Sequence, residues 1–525
     1  MPIRKQLRAV PLVMLFAAPL AAQEHVDLLL RGGTVVDGSG RAGRVADIGI
    51  RGDHITFVGN AAAHRLTATR TIDVRGLVVA PGFIDPHTHT AGDLSSAERK
   101  SNVAYLMQGV TTVLTNNDGG GPVDVGGEIA RWQKNGIGTN AAVYVGQGSV
   151  RGAIIGQTSA AATAAQLDSM RATVARAMDA GALGLSTGLY YAPGSYAPTE
   201  EVIELAKVAA SRGGLYDSHL RDESSYTVGL IGAVAEAIRI GREAHLPIHI
   251  SHIKALGADV WGQADTVVSL IRHARADGID VTADQYPYTA SGSSVGASLL
   301  PRWAEAGGRD SLRIRVADQA TRARLVAEME VNLRRRGGAN SLLISSTRDS
   351  SILGRRLDAV AAARTTTPVE AALQIILAGD ASVASFNMKD SDIEKFMVQD
   401  FVVTGSDGSD GHPRKYGTFP RLLREYVYTR HILTLPQAIQ RSSARTAQIL
   451  GLQDRGTLTV GGFADVIAFD PATVADRSTY AQPTLLATGM RYVVVNGVLA
   501  VDRGAYTGKL AGRVLRRRQT LAPAK

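Results

Sequence analysis

Eight short apolar segments recur between about residues 79 and 448, each followed by a loop and then a helical stretch, and this alternation constrains the fold more than any other feature. The segments are 79–85, 111–115, 141–145, 183–186, 215–218, 248–251, 281–285 and 402–405. Apolar runs this short suit strands buried on both faces, and regular alternation with helices suits a parallel sheet. Eight such units predict an α/β chain built on a (β/α)8 barrel, spanning residues 80–454. One intervening helix reads clearly over 200–211, with Thr199 as its cap and Glu200 and Glu201 in its first turn. Another reads over 228–243. The gap before the eighth strand exceeds what a barrel connection needs, so an inserted lid is expected around 291–348.

The flanks have a different texture. Short alternating stretches at 26–30, 34–37, 46–50, 54–58 and 71–74 are matched near the other end by 464–469 and 490–496, with Gly-rich turns between them. Two such flanks predict one small β-sandwich domain made from 23–79 and 455–515 together. Gly38-Ser39-Gly40-Arg41-Ala42-Gly43 matches the dinucleotide fingerprint, but that motif must open a helix, and the residues after it alternate like a strand. Nucleotide binding is therefore not expected.

Residues 1–22 carry Arg4, Lys5 and Arg8, then an apolar run from Val10 to Leu20, then Ala21-Ala22. They read as an export signal cut after Ala22, placing the mature protein in the periplasm or outside the cell, with no stable membrane anchor because the apolar run is too short to span. The chain has no cysteine, so disulfides and thiolate ligands are excluded and any metal must use His and carboxylates. The net charge is +9, but the basic residues are scattered except in the tail around Arg516-Arg517-Arg518, within a frayed segment read over 516–525. That pattern argues against nucleic-acid partners and modestly favours anionic substrates.

Active chemistry in such barrels sits at the carboxyl ends of the strands. Collecting the residues at those ends gives His87 and His89 on the first strand, Asp118 after the second, His219 after the fifth, His252 after the sixth and Asp407 after the eighth. These six side chains suit a divalent metal. His25, His54, His64, His245, His273 and His431 read as surface or packing residues, and His249 as packing, because it sits three residues before His252 and faces the other way. Each candidate has a plainer reading. His87 and His89 could be a surface pair, Asp118 a turn-former in Asn116-Asn117-Asp118-Gly119, and Asp407 a structural residue of its Ser-Asp-Gly turn.

The chain resembles the amidohydrolase superfamily, and within it the N-acyl-D-amino-acid deacylase (D-aminoacylase) branch. The stretches carrying the likeness include Pro81-Gly82-Phe83-Ile84-Asp85-Pro86-His87-Thr88-His89, Gly184-Leu185-Ser186-Thr187-Gly188, Ser218-His219-Leu220-Arg221-Asp222-Glu223, Ser251-His252-Ile253-Lys254, Asp284-Gln285-Tyr286-Pro287-Tyr288 and Gly405-Ser406-Asp407-Gly408, followed by His412-Pro413-Arg414. They run in the family's order over nearly the whole mature chain. The resemblance implies a tight zinc site at His219, His252 and Asp118, and a weaker one near His87, His89 and Asp407. Asp118 stands where many relatives carry Cys, which suits Zn²⁺ and admits Mn²⁺ or Co²⁺ more readily, leaving one or two ions open.

It further implies that Lys254, Tyr286 and Arg414 hold the α-carboxylate of an N-acyl amino acid, with a serine among Ser291, Ser293 and Ser294 less firmly placed. Zinc would supply an acidified water, and Asp407 would act as general base and then acid in hydrolysing the amide. A dipeptidase or cyclic-amide hydrolase uses the same metal chemistry and is the alternative, although no lysine stands at the end of the fourth strand where several binuclear relatives carry a carboxylated one. Two further alternatives lie outside the superfamily. Gly292-Ser293-Ser294-Val295-Gly296 fits the nucleophile motif of serine hydrolases but sits in a Ser/Gly stretch read as flexible. A non-catalytic binding barrel would leave the metal face incomplete, whereas all six positions are filled.

Overall fold

The computed structural model describes residues 24–516; the expected leader and the tail beyond 516 lie outside the described residues. The chain opens with β1 (His25–Val35), β2 (Arg44–Arg51), β3 (His54–Gly59), β4 (Thr67–Asp73) and β5 (Val78–Pro81). The barrel segments follow as β6 (Phe83–Asp85), β7 (Val110–Thr115), β8 (Asn140–Val143), β9 (Val145–Gly146), β10 (Gly184–Gly188), β11 (Leu215–His219), β12 (Ile248–Ile250) and β13 (Val281–Gln285). An insertion contributes β14 (Ala290–Ser294), β15 (Leu342–Ser346) and β16 (Ser382–Phe386). β17 (Val402–Thr404) returns to the barrel, and β18 (Val466–Phe469), β19 (Met490–Val495), β20 (Val498–Asp502) and β21 (Ala505–Tyr506) close the chain.

Parallel pairing runs β6–β7–β8 on one side and β9–β10–β11–β12–β13–β17 on the other. Tyr144 alone separates β8 from β9, so these two act as one strand with a break. The ring closes just beyond β6 and β17, where Thr88 bridges Gly408 in parallel, Asp407 N–H donates to His87 O at 2.9 Å and His89 N–H donates to Gly408 O at 3.0 Å. Eight parallel strands thus surround one axis, and the closure is made by the residues that carry the candidate ligands.

The single strand expected over 79–85 is two. β5 pairs with β1 and β18, while β6 pairs with β7, and the chain changes sheets at Gly82. A Cβ at Gly82 would lie 2.2 Å from Thr111 Oγ1, so only glycine passes there. Strands from both chain ends share one nine-stranded sheet. Its core joins Ile48 and Ile50 from the first flank to Val466 and Val494 from the second.

A buried network fastens this sheet to the barrel. Arg455 pairs with Asp465; Asp465 Oδ2 also accepts from Asn140 Nδ2 of β8 at 3.1 Å; and Asn496 Nδ2 donates to Asn140 Oδ1 at 2.7 Å. Gly38 to Gly43 lie in the turn between the antiparallel strands β1 and β2, so no helix follows the dinucleotide-like motif.

The insertion expected over 291–348 is longer, running from Ala290 to Phe386. β14 and β15 flank β16 antiparallel, and the piece has its own core around Leu299, Leu325, Met329 and Ile344. The helix read from 200 begins at Thr199 itself. Pro198 precedes it in the extended conformation, and the Thr199 hydroxyl donates to Glu236 at 2.7 Å instead of capping. The next helix runs Gly229–Ala244 and ends at His245 in the left-handed conformation. Among the described residues no helix is long and apolar enough to cross a membrane.

Candidate metal centre

All six candidate ligands meet at the carboxyl mouth of the barrel, in two groups that share one residue: His87, His89, Asp118 and Asp407, and Asp118, His219 and His252. Each follows from a strand end. β6 delivers His87 and His89, whose intervening Thr88 is pinned by its backbone bond to Leu114 O at 3.0 Å. β11 ends on His219 itself. His252, Asp118 and Asp407 sit just past β12, β7 and β17 with φ of 35°, 57° and 48°. Three non-glycine ligands in the left-handed region store strain of the kind that accumulates at functional sites. Asp118 is both turn-former and site residue, because the left-handed turn swings its carboxylate inward.

Asp118 is the centre of the arrangement. Its Oδ1 lies 3.4 Å from His87 Nε2, 3.5 Å from His219 Nδ1 and 3.5 Å from His252 Nε2, while Oδ2 lies 3.4 Å from His89 Nε2. Asp407 Oδ1 completes the first group at 3.0 Å from His89 Nε2 and 3.6 Å from His87 Nε2. Neighbouring ligands of a tetrahedral ion with bonds of 2.0–2.1 Å stand about 3.3–3.4 Å apart. The Asp118 spacings match that edge. Of these facing atoms, His87 Nε2 and Asp118 Oδ1 are buried without hydrogen-bond partners, a cost that a cation between them would offset. The donor set of imidazoles and hard carboxylates therefore fits Zn²⁺ and also Mn²⁺ or Co²⁺.

The electrostatics agree. Burial works against charge on His87, yet Asp118, Asp284 and Asp407 draw its ring toward the protonated form well above the usual range. Burial likewise opposes an ionised Asp118, but His87 and His219 hold it well below the usual carboxylate range. The cage thus favours positive charge at its middle.

A second layer orients the ligands. Glu223 Oε1 lies 3.1 Å from His252 Nδ1, and Asp284 Oδ2 lies 3.8 Å from His87 Nδ1 and 3.0 Å from His249 Nε2. His249, which also bonds Thr282 Oγ1 at 2.9 Å, thus belongs to the support beneath the site. Carboxylates behind ligating imidazoles fix ring orientation and tautomer. Glu223 and Asp284 both lie in the motifs read from the sequence, but no spacing rule singled them out.

The three expected substrate residues line the same cavity of about 470 Å³. Arg414 is 1% exposed. Its Nη2 sits 2.8 Å from Asp407 Oδ2, and its Nε and Nη1 have no hydrogen-bond partner. Tyr286 lies beneath it, the guanidinium carbon 4.6 Å from the ring centre, with its own hydroxyl unpartnered. Gly292 makes this possible, since a Cβ there would lie 2.8 Å from Arg414 Nη2.

Lys254 differs from expectation. Its ammonium donates to Glu223 Oε1 at 2.5 Å and to His252 O at 3.1 Å and lies 2.7 Å from His252 Nδ1, so it is engaged inside the site. The cause is Glu223, whose carboxylate competes for the lysine. Of the serines, Ser293 Oγ is buried and unpartnered, Ser291 Oγ bonds Asn387 Oδ1 at 3.3 Å, and Ser294 Oγ accepts from Ala297 N–H at 3.0 Å. The Ser/Gly stretch is ordered as strand β14 leading into the helix Val295–Leu299, yet Ser294 is spent as that helix's cap and bonds no histidine or acid.

Comparison with known proteins places these features in context. A sequence profile described as the amidohydrolase family matches residues 70–501. A D-aminoacylase from Alcaligenes xylosoxydans xylosoxydans is 36% identical over 94% of this chain and 98% of its own length. An N-acyl-D-glutamate deacylase from the same organism is 34% identical over 96% of this chain and 99% of its own. The crystal structure of N-acyl-D-glutamate deacylase from Bordetella bronchiseptica, complexed with zinc and a phosphonate inhibitor mimicking the tetrahedral intermediate, superposes with a TM-score of 0.81 at 32% identity, covering 94% of this chain and all of that one.

Proposed function

This chain belongs to the amidohydrolase family, and from that premise we propose that it is a metal-dependent deacylase of N-acyl-D-amino acids. The observation that carries the reading is the convergence of His87, His89, Asp118, His219, His252 and Asp407 at one barrel mouth, beside the unpartnered donors of Arg414 and Tyr286. Choice of the D configuration is supported by the deacylases that match over nearly the whole chain.

His219, His252 and Asp118 would hold one ion, and His87, His89, Asp118 and Asp407 a second. A divalent ion in this place supplies Lewis-acid polarisation of the scissile carbonyl and lowers the pKa of water toward about 7. The chain's residues do the rest. Burial alone would raise the Asp407 carboxyl, but Arg414, His252 and His89 hold it below the ordinary carboxylate range, so it stands ionised at neutral pH. Asp407 Oδ1 takes the proton of the attacking water and hands it to the leaving amine as the C–N bond breaks, a role worth about 10²–10⁴-fold. Arg414 Nη2 holds the other oxygen, Oδ2, and fixes the carboxylate plane. Arg414 Nε and Nη1, together with the Tyr286 hydroxyl, are placed to take the substrate's α-carboxylate. The leader read at residues 1–22 supports release of this activity outside the cytoplasm, which fractionation of the producing cell checks.

The test is hydrolysis of paired N-acetyl-D- and N-acetyl-L-amino acids by zinc-loaded protein, with and without chelator. Chelator-sensitive release of D-amino acids alone is expected. Inert N-acetyl substrates alongside turnover of dipeptides or cyclic amides would move the chain to another branch of the family.

A further inference from the structure

Arg336 is 2% exposed and lines the same cavity, yet no carboxylate of the described residues pairs with it. The contrast with the other buried arginines is chemical. Arg151 pairs with Glu201, Arg414 with Asp407 and Arg455 with Asp465. Arg441 has no acid but gives its guanidinium to two backbone carbonyls, Met397 O and Val402 O. Arg336 has only phenols: Nε donates to Tyr226 Oη at 2.6 Å and Nη2 to Tyr190 Oη at 2.8 Å, and Nη1 has no partner.

Those phenols are themselves spent. Tyr190 Oη donates to Ala297 O at 2.7 Å and Tyr226 Oη to Ser298 O at 3.3 Å, so both present lone pairs to the guanidinium and act as its orienting brackets. The neutral brackets leave the charge uncompensated, and a buried uncompensated charge is strongly unfavourable unless an anion joins it.

The surroundings suit such an anion. β14, β15 and β16 bring Ser294, Ser382 and Ser346 abreast, and all three line the cavity. Aliphatic side chains at the lining are confined to Leu256, Ala297 and Val383, so serines and tyrosines are the main neighbours of the guanidinium there. Tyr190 connects this wall to the metal centre, its ring centre 5.9 Å from that of His219. Arg336 therefore stands about one tyrosine away from His219, whereas Arg414 and Tyr286 adjoin Asp407.

We infer that Arg336 forms a second anion subsite, reading a second carboxylate on the N-acyl amino acid beyond the one held near Arg414. The inference rests on the deacylase reading and narrows it to dianionic substrates. The second carboxylate belongs either to the amino-acid side chain or to the acyl group, and both present the same chemistry to a guanidinium.

The experiment compares two matched pairs on wild type and Arg336→Met: N-acetyl-D-glutamate with N-acetyl-D-glutamine, and N-succinyl-D-leucine with its terminal amide. Wild type should favour the acid of one pair by about 10- to 100-fold in kcat/KM, the worth of a buried charge-assisted hydrogen bond. The pair that shows it identifies the source of the carboxylate. Arg336→Met should erase that preference and leave both amides within about threefold of wild type. Arg336→Lys, which keeps the charge and loses the fork, should fall between. No acid preference in wild type, or an equal fall on all four compounds in Arg336→Met, would overturn the inference and leave Arg336 a tether between insertion and barrel.

Calorimetry of the same acids on metal-free protein separates the two readings. Arg336-dependent binding without turnover of any compound would uphold the subsite and sink the deacylase reading. Turnover of the amides with no Arg336 dependence in binding or kcat/KM would do the reverse.

Discussion

Replacing Glu223 by Gln tests whether the layer behind the ligands sets metal affinity. Glu223 Oε1 lies 3.1 Å from His252 Nδ1 and 2.5 Å from Lys254 Nζ, and the lysine is itself 2.7 Å from the same Nδ1. With the carboxylate present, Nδ1 carries a proton toward Glu223, and the lone pair of Nε2 is left facing Asp118 Oδ1 at 3.5 Å and His219 Nδ1 at 2.8 Å. Burial would neutralise Glu223, but Lys254 first, then His219 and His252, hold its carboxyl below the ordinary range, so it is charged throughout the working pH. Gln keeps the shape and removes the charge. Lys254 then becomes the stronger partner of Nδ1, donates to it, and drives the imidazole proton onto Nε2, the atom that must bind the ion.

Loss of a carboxylate behind a ligating histidine lowers metal affinity by about 10- to 100-fold, or roughly 1.4–2.8 kcal/mol. Here the upper half of that range is expected, because the substitution also releases a competing ammonium. Zinc titration against a chromophoric chelator reads it directly, with no dependence on turnover. Lys254→Met in the Glu223→Gln background removes the competitor and should restore most of the affinity, a coupling that a double-mutant cycle measures. Affinity of Glu223→Gln within threefold of wild type, or failure of the second substitution to restore it, would refute the tautomer argument.

Asp407→Asn should keep the ion at His219, His252 and Asp118 while turnover falls by about 10²–10⁴-fold; zinc stoichiometry and kcat measured together decide it, and turnover within tenfold of wild type would remove Asp407 from its role. Asp465→Ala strips Arg455, whose side chain is 4% exposed, of its carboxylate and opens the Asn140–Asn496 network between sheet and barrel, so a loss of about 3–5 kcal/mol is expected in denaturant unfolding. Glu305, 17% exposed, has its carboxyl pushed up to about 7 by burial, with Arg302 at 2.8 Å pulling it partly back. The folded state therefore binds this proton more tightly than the unfolded chain does; the stability so gained is present below about pH 4.5, is lost as pH rises through about 7, and amounts to at most about 3 kcal/mol. Glu305→Gln should flatten the fall in melting temperature between about pH 5 and 8, and parallel curves for the two proteins would count against it.

What could be read from the chain and what could not divide along a physical line. The barrel strands announce themselves because parallel strands buried on both faces are rich in apolar and β-branched residues, as Val110–Thr115 and Val402–Thr404 are, and the ligands follow because they stand at or just past the strand ends. β14 gives no such signal. Its residues Ala290–Ser294 have poor strand propensity and are held extended by five register pairs with β16, which lie about ninety residues away in sequence.

The break at Gly82 is equally silent, because its cause is the Thr111 side chain on the neighbouring strand, and a glycine after proline reads only as a turn. Asp118 stayed open between turn and ligand because the same left-handed residue does both, and the sequence encodes the turn without encoding where its carboxylate points. Arg336 illustrates the limit most sharply. It ends a run of three arginines at the close of the helix Gln319–Arg335, a pattern that ordinarily means a solvated helix end, and two tyrosines from the barrel loops bury it instead. Residues that hold the reaction lie where the barrel's periodicity puts them, whereas residues facing the rest of the substrate come from an insertion whose packing is wholly tertiary. Chemistry was therefore legible before specificity.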